Sequence, residues 1–589
     1  MSVKTVNIHY SVPILSQVGK QFHSEVLPQS ASRFVLPKSV SYSPQITKTI
    51  SPRLPNSRSP KNLAIGEFKL TYPPSEKQIN KAYGQQKHLD EIIKIVNAQG
   101  GYIDTSQMGS GKTIIAFLVS LHFNLPLLVV CPKGACPNWI DGMAEYGIPH
   151  FGVISYSMLS GRRNCNLSHD LLTRCDYVND QNHNKKHFSV TKKFTDILAK
   201  GALVIFDEVH FNKNNNTGTH MACEALMKAI RISNSKFGFL SGTIADSSDS
   251  LISIMKLAGI IRQNELYSNY FGREVKNKGL DDVITFAYKC DYEKTIKIVS
   301  PFKKEKISVA KSKALVAKLY TDIIKYNVSS GMIPKIDKNF DIANGKYKIE
   351  TNELDKMIDA LKRLKEIVFS NDGCGVKIDK INITQHTQLL ITIENTLVPS
   401  VIESTLKDWN KNPKQKIAIF AWYIDTINML KDYYEKNDKK PIVITGEIND
   451  PYQRSILVKR FNTNPDYNII ILQGKVGSTN ISLHDTVGDA PRKSYIFPSY
   501  NFIDNLQAAY RIYRVGLKSD AVVRFVYAAD QISLHKKILY AISKKGILAE
   551  AVVNNRYDYD EEMMTTEDGK IRVNGSTIYP QDYPDTDEF

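Results

Sequence analysis

The chain has 589 residues, 42% of them apolar and 23% charged, enough to bury several cores of ordinary domain size. No run approaches 18 consecutive apolar residues, and the N-terminus lacks an apolar segment followed by a small-residue cleavage site, so neither a membrane span nor secretion is expected. Lys and Arg number 77 against 60 Asp and Glu, a formal +17 that favours an acidic partner, nucleic acid first.

In chain order, the first sixty residues hold seven prolines and one acid, Glu25. Residues 1–62 therefore read as an extended or disordered basic arm. From residue 63 the pattern changes. Short apolar runs, Leu127–Val130 and Ala202–Phe206, alternate with helical stretches such as Ile114–Phe123. The pattern returns with Ile417–Phe420, Pro441–Ile444 and Asn468–Leu472, and with the helical stretch Ile424–Tyr434. Buried runs that stop at polar turns imply parallel strands covered on both faces. The expected fold class is α/β, with parallel-sheet lobes at 63–262 and 406–555. Between them, Leu354, Ile358, Leu361, Leu364 and Val368 keep helical spacing, so 263–405 reads as a mainly helical insertion. Residues 556–589 hold ten acids and three bases, a net of −7, which leaves residues 1–555 with about +24. Seven cysteines without metal-site spacing predict no structural metal.

The sharpest motif is Ser106-Gln107-Met108-Gly109-Ser110-Gly111-Lys112-Thr113, between a short strand near Tyr102 and an apolar helix. Glycines there let backbone N–H groups close on phosphate oxygens at a helix N-terminus. Met108, Gly109, Ser110, Gly111 and Lys112 are the expected phosphate cradle of an ATP site. Thr113 is the expected Mg²⁺ hydroxyl. Ser106 stands where the strict phosphate-loop pattern has its first glycine. Ninety-five residues after Lys112, Asp207 and Glu208 end the strand Leu203–Phe206. Asp207 suits the Mg²⁺ shell, and Glu208 suits the base that orients and deprotonates water.

The order of motifs resembles superfamily 2 helicases. Asp207-Glu208-Val209-His210 matches their DExH motif, and Ser241-Gly242-Thr243, after the strand Phe237–Leu240, matches the third motif that links the lobes. Gln507-Ala508-Ala509-Tyr510-Arg511-Ile512-Tyr513-Arg514-Val515-Gly516 matches the sixth, QxxxRxxRxG, and Gly474–Leu483 is similar to the fifth. Val129-Val130-Cys131-Pro132 with Trp139, Ile154–Ser157, and Asn212-Lys213-Asn214 after the DExH motif are similar to Swi/Snf-like translocases and helicases of large DNA viruses. The resemblance covers about 80–262 and 406–530.

That resemblance implies two RecA-like lobes, with Lys112, Asp207, Glu208, Arg511 and Arg514 as catalytic residues. Arg511 and Arg514, three apart and read as one helix face, would reach the γ-phosphate. Gln86 would read adenine. His210, Ser241, Gly242, Thr243 and Gln507 would couple the lobes. Lys133, Ser155, Tyr156, Gly477, Ser478 and Thr479 would contact nucleic acid. ATP and Mg²⁺ are the implied cofactors, with DNA favoured over RNA as partner. The alternatives are an RNA helicase and a transcription-complex remodelling ATPase that does not separate strands. The terminal segments are candidates for a polymerase or other protein partner. An intracellular location is expected, with nucleus, viral factory and virion left open.

Overall fold

The computed structural model describes most of residues 86–528, with short interruptions of which 364–382 is the longest, and the strands Lys570–Val573 and Ser576–Pro580. The basic arm and most of the acidic tail lie outside the described residues.

Two six-stranded sheets organise the chain. The first is built from β1 (Gly101–Asp104), β2 (Leu127–Cys131), β3 (His150–Ser155), β4 (Leu203–Asp207), β5 (Lys236–Leu240) and β6 (Ser329–Ser330), in the order β6-β1-β5-β4-β2-β3. Every pairing in it is parallel. Strands β1 and β2 are buried along their whole length, so both faces must be covered. Helices α1 (Gln86–Gln99), α2 (Lys112–Phe123) and α3 (Cys136–Tyr146) cover one face with Leu89, Ile92, Val119, Trp139 and Met143. The other face carries Phe194, Leu226, Met227, Leu251 and Ile254. An antiparallel hairpin, Leu172–Val178 with Asn184–Val190, interrupts this lobe where the sequence showed no regular pattern.

The second sheet comprises β7 (Phe340–Tyr347), β8 (Lys416–Ala421), β9 (Ile442–Ile444), β10 (Ile469–Gln473), β11 (Arg492–Ile496) and β12 (Ala521–Ala528). Its order is β7-β12-β11-β8-β10-β9, again wholly parallel. The two parallel-sheet lobes are the architecture expected from the sequence.

The stretch 263–405 is not one inserted block. Leu280–Cys290 and Val309–Leu319 are helices whose Leu280, Val283, Ile284, Leu315 and Leu319 belong to the core of the first lobe. Ser329–Ser330 then joins that lobe's sheet beside β1. Phe340–Tyr347 already pairs with β12 of the second lobe, and the helix Val398–Lys411 packs in that lobe's core through Val401, Ile402 and Trp409. The crossing between lobes is therefore short. Two serines carry no strand pattern, and Asn344-Gly345 inside β7 reads locally as a turn, so pairing partners far along the chain decide both strands. Of the helical run from Leu354 to Val368, most residues lie outside the described ones. Among the described residues, no helix is long and apolar enough to cross a membrane.

Candidate ATP site between the two lobes

The phosphate loop runs from the end of β1 into α2. Gly109 (φ 77°) and Gly111 (φ 94°) take the left-handed conformation that turns successive N–H groups inward, a conformation that costs other residues about 1–2 kcal/mol. The Lys112 ammonium donates to the carbonyls of Ser106 (2.8 Å) and Gln107 (3.2 Å) at the neck of the loop. Burial pulls Lys112 below the usual lysine value, partly offset by Glu208, Asp104 and Asp207. Ser110 is buried in the loop, and Thr113 is the second residue of α2.

Strand β4 delivers the acids. Trp139 Nε1–H donates to Asp207 Oδ2 at 2.8 Å, and the Tyr156 hydroxyl donates to the Asp207 carbonyl at 2.9 Å. Burial and the charge of Glu208 push Asp207 up to about 7, against the pull of the Trp139 bond and Lys112. Glu208 adopts φ 50°, so the chain turns sharply after Asp207. The donor set suits Mg²⁺. A hard dication takes one or two carboxylates with phosphate and water oxygens, and the half-buried Asp207 lacks full charge compensation from the protein. No cluster of three or more His, Cys, Asp or Glu side chains suited to a metal occurs among the described residues.

The second lobe supplies the arginines. Helix α4 (Phe502–Ala509) ends before them, so Arg511 and Arg514 sit on the turn that follows and not on a helix face as expected. The chain leaves the helix at Tyr510, and Gly516 at φ 91° completes the turn. Arg514 packs so tightly on the loop that a Cβ at Gly109 would stand 2.7 Å from its Cγ. Its Nη1 donates to Ser482 Oγ at 2.8 Å, while its buried Nε–H has no hydrogen-bond partner among the described residues. Burial draws its guanidinium down to about 10, still protonated at neutral pH, with Glu208 opposing. Arg511 donates to the Ile481 carbonyl at 3.2 Å.

The expected coupling residues meet at the same place. Ser241 Oγ donates to the Thr243 carbonyl (2.8 Å), so His210 Nδ1, 2.9 Å away, is the donor to Ser241. That leaves His210 Nε2 as acceptor for Gln507 Nε2 from the second lobe, at 3.5 Å. Burial holds His210 below the usual histidine value, which suits this neutral tautomer. Gly242 is packed against Met108, and Met108 is buried with the apolar cluster of the second lobe.

Other expectations change. Gln86 is exposed at the start of α1, its amide donating to Asp90 at 2.9 Å. Of the expected nucleic-acid contacts, Lys133 is exposed, but Ser155, Tyr156 and Gly477 are buried. Ser155 caps a short helix by accepting from the Met158 N–H, and Tyr156 braces Asp207, so both hydroxyls serve the fold. Ser478 and Thr479 lie outside the described residues. The roles of Trp139 in orienting Asp207, and of His88 and Asp104 beneath the loop, were missed. An indole reaching an acid 68 residues away leaves no sequence pattern.

No protein-family model matches the chain. It is 25% identical over 502 residues to the "Putative ATP-dependent RNA helicase L364" of Acanthamoeba polyphaga mimivirus, covering 83% of this chain and 86% of that one. Identity to the chromodomain-helicase-DNA-binding protein 1-like of Danio rerio is 21% over 499 residues, 80% of this chain but 44% of that protein. Against the Sulfolobus solfataricus SWI2/SNF2 ATPase core in complex with dsDNA, identity is 15%, coverage 80% of this chain and 96% of that one, and the TM-score 0.27. The likeness therefore rests on sequence and motif order, not on superposition. With the acids, the phosphate loop and the two arginines drawn into one cleft, this chain is an ATP hydrolase similar to superfamily 2 helicases and translocases of the Swi/Snf-like kind.

Proposed function

We propose that the chain couples ATP hydrolysis to movement along nucleic acid, with DNA the favoured track. The observation that carries this reading is the contact of Arg514, from the second lobe, with Gly109 in the phosphate loop of the first. A nucleotide held by Lys112, Thr113 and Asp207 would then face cations from both lobes, and its γ-phosphate would tie them together. Glu208 would orient and deprotonate the attacking water, and Arg511 and Arg514 would neutralise charge developing on the transferred group. Mg²⁺, held by Thr113 and Asp207, would supply the Lewis acid. Loss of the γ-phosphate would release one lobe from the other, and alternating grip on a strand would turn that cycle into a step.

Duplex translocation is preferred to unwinding because of the Swi/Snf-like segments around Cys131-Pro132 and Trp139. A second reading, an RNA helicase, is favoured by the name of the mimivirus relative. A role in viral transcription or genome processing belongs to the same proposal, with a polymerase or another protein as partner. The test is ATP turnover with single-stranded DNA, duplex DNA and RNA as separate stimulants. Stimulation by duplex DNA supports translocation, stimulation by RNA alone supports the second reading, and no stimulation by any of the three overturns both.

A further inference from the structure

The base of the phosphate loop is bonded to the segment by which the chain leaves the first lobe. β6 runs parallel to β1, and the pairing does not stop where the strands end. Thr105 N–H donates to the Ser330 carbonyl (2.8 Å), Gln107 N–H donates to the Met332 carbonyl (3.0 Å), and Met332 N–H donates to Ser106 Oγ (3.1 Å). The outgoing backbone is thus zipped along residues 105–107. These include the two residues whose carbonyls hold Lys112.

Beneath this zipper lies a polar hub in which His88, Asp104, Ser106 and Ser330 are buried and Glu91 is exposed at the rim. Ser330 Oγ donates to Glu91 (2.8 Å), so His88 Nδ1, at 3.0 Å, donates to Ser330. The other ring nitrogen lies 3.0 Å from Ser106 Oγ and 3.2 Å from Asp104 Oδ1, and Asp104 accepts the Ser106 N–H at 2.9 Å. Burial pushes the Asp104 carboxyl up, but His88, Lys112 and the Ser106 bond outweigh it and hold the group below the usual value. Ser106 at the first position of the loop therefore has a purpose that glycine could not serve. Its hydroxyl joins the hub to Met332.

We infer that Gly331–Met332 is a latch on product release: parting of the lobes peels this segment from residues 105–107, loosens the neck of the phosphate loop and lets ADP leave. Only seven residues, 333–339, separate Met332 from β7 of the second lobe, a tether of about 25 Å even when fully extended. Beyond that reach, movement of the second lobe would pull on Met332. Gly331 is required for the close approach, because a Cβ there would stand 2.3 Å from Thr105 Oγ1, itself fixed by its bond to the Ser330 carbonyl at 3.2 Å.

The inference rests on the ATP reading, and the test separates the two. Release of a fluorescent ADP analogue is followed by stopped flow in the full chain, beside single-turnover hydrolysis. Gly331→Ala forces the segment away from Thr105, and Met332→Pro deletes the N–H that reaches Ser106, so one serves if the other does not fold. Each should release ADP about tenfold faster, the worth of roughly one hydrogen bond, with single-turnover hydrolysis within about twofold of the parent. Normal hydrolysis with unchanged or slower ADP release in the folded variants overturns the latch alone. Absence of nucleotide binding in the parent chain removes the ATP reading and the latch together.

Discussion

Replacing Arg514 by Ala is the sharpest test of the cleft. In this structure the protein itself holds the guanidinium: its stem lies on Gly109, one nitrogen is bonded to Ser482, and the buried Nε–H has no partner among the described residues. A buried unsatisfied donor costs about 1–3 kcal/mol, which a phosphate oxygen would return, and most fully when negative charge peaks in the transition state. Adding the lost charge, the expected slowing is about 10³-fold or more, near 4 kcal/mol in barrier. Arg514→Lys keeps the stem and a cation but loses the fork, so it should fall between the parent and the Ala variant. Quenched-flow single turnovers would give the rate, and titration of a fluorescent nucleotide would give the affinity. Because Gly109 loses only an apolar neighbour, affinity should change far less than rate. An equal loss in both would make Arg514 a ground-state contact, and a rate near that of the parent would refute the argument outright.

The remaining predictions need simpler assays. Lys112→Ala and Glu208→Gln should each nearly abolish turnover with the melting temperature little changed, and Glu208→Gln should still bind ATP; parental turnover in either sinks the site. Trp139→Phe keeps the ring that packs edge-on against Phe117 at 5.6 Å but loses the bond to Asp207. It should cut turnover by about tenfold or more, the worth of a charge-assisted hydrogen bond, and an unchanged rate would show that Asp207 needs no such support. Nucleic-acid affinity should fall steeply with salt as counterions are released, and a flat dependence would remove nucleic acid as the main ligand. Deleting residues 558–589, which carry much of the acidic excess, should tighten nucleic-acid binding or raise basal turnover at low salt, and no change there would leave the tail a solubilising segment.

The glycine-rich turn before a helix and the acid pair at a strand end were legible in the sequence because each depends on local order. A glycine at positive φ before a helix, or two acids closing an apolar strand, is written within eight residues. The five apolar runs became strands for the same reason, since a strand buried on both faces must be continuously apolar. The described part of 263–405 is mainly helical as expected, but its division between the two lobes was not legible, because Ser329–Ser330 and Phe340–Tyr347 gain their conformation from partners far along the chain, Ile103–Asp104 and Ala521–Ala528. Burial likewise decided between surface and support. Ser155 and Tyr156 have the hydroxyls of a phosphate-contacting segment, yet β3 pairs with β2, which pairs in turn with β4, and this turns them inward to a helix cap and to Asp207. Whether a hydroxyl meets solvent, a ligand or a backbone carbonyl depends on what folds over it. His88, Ser106 and Met332 show the same limit, for they are brought together by hydrogen bonds spanning up to 226 residues, a relation that no local pattern encodes.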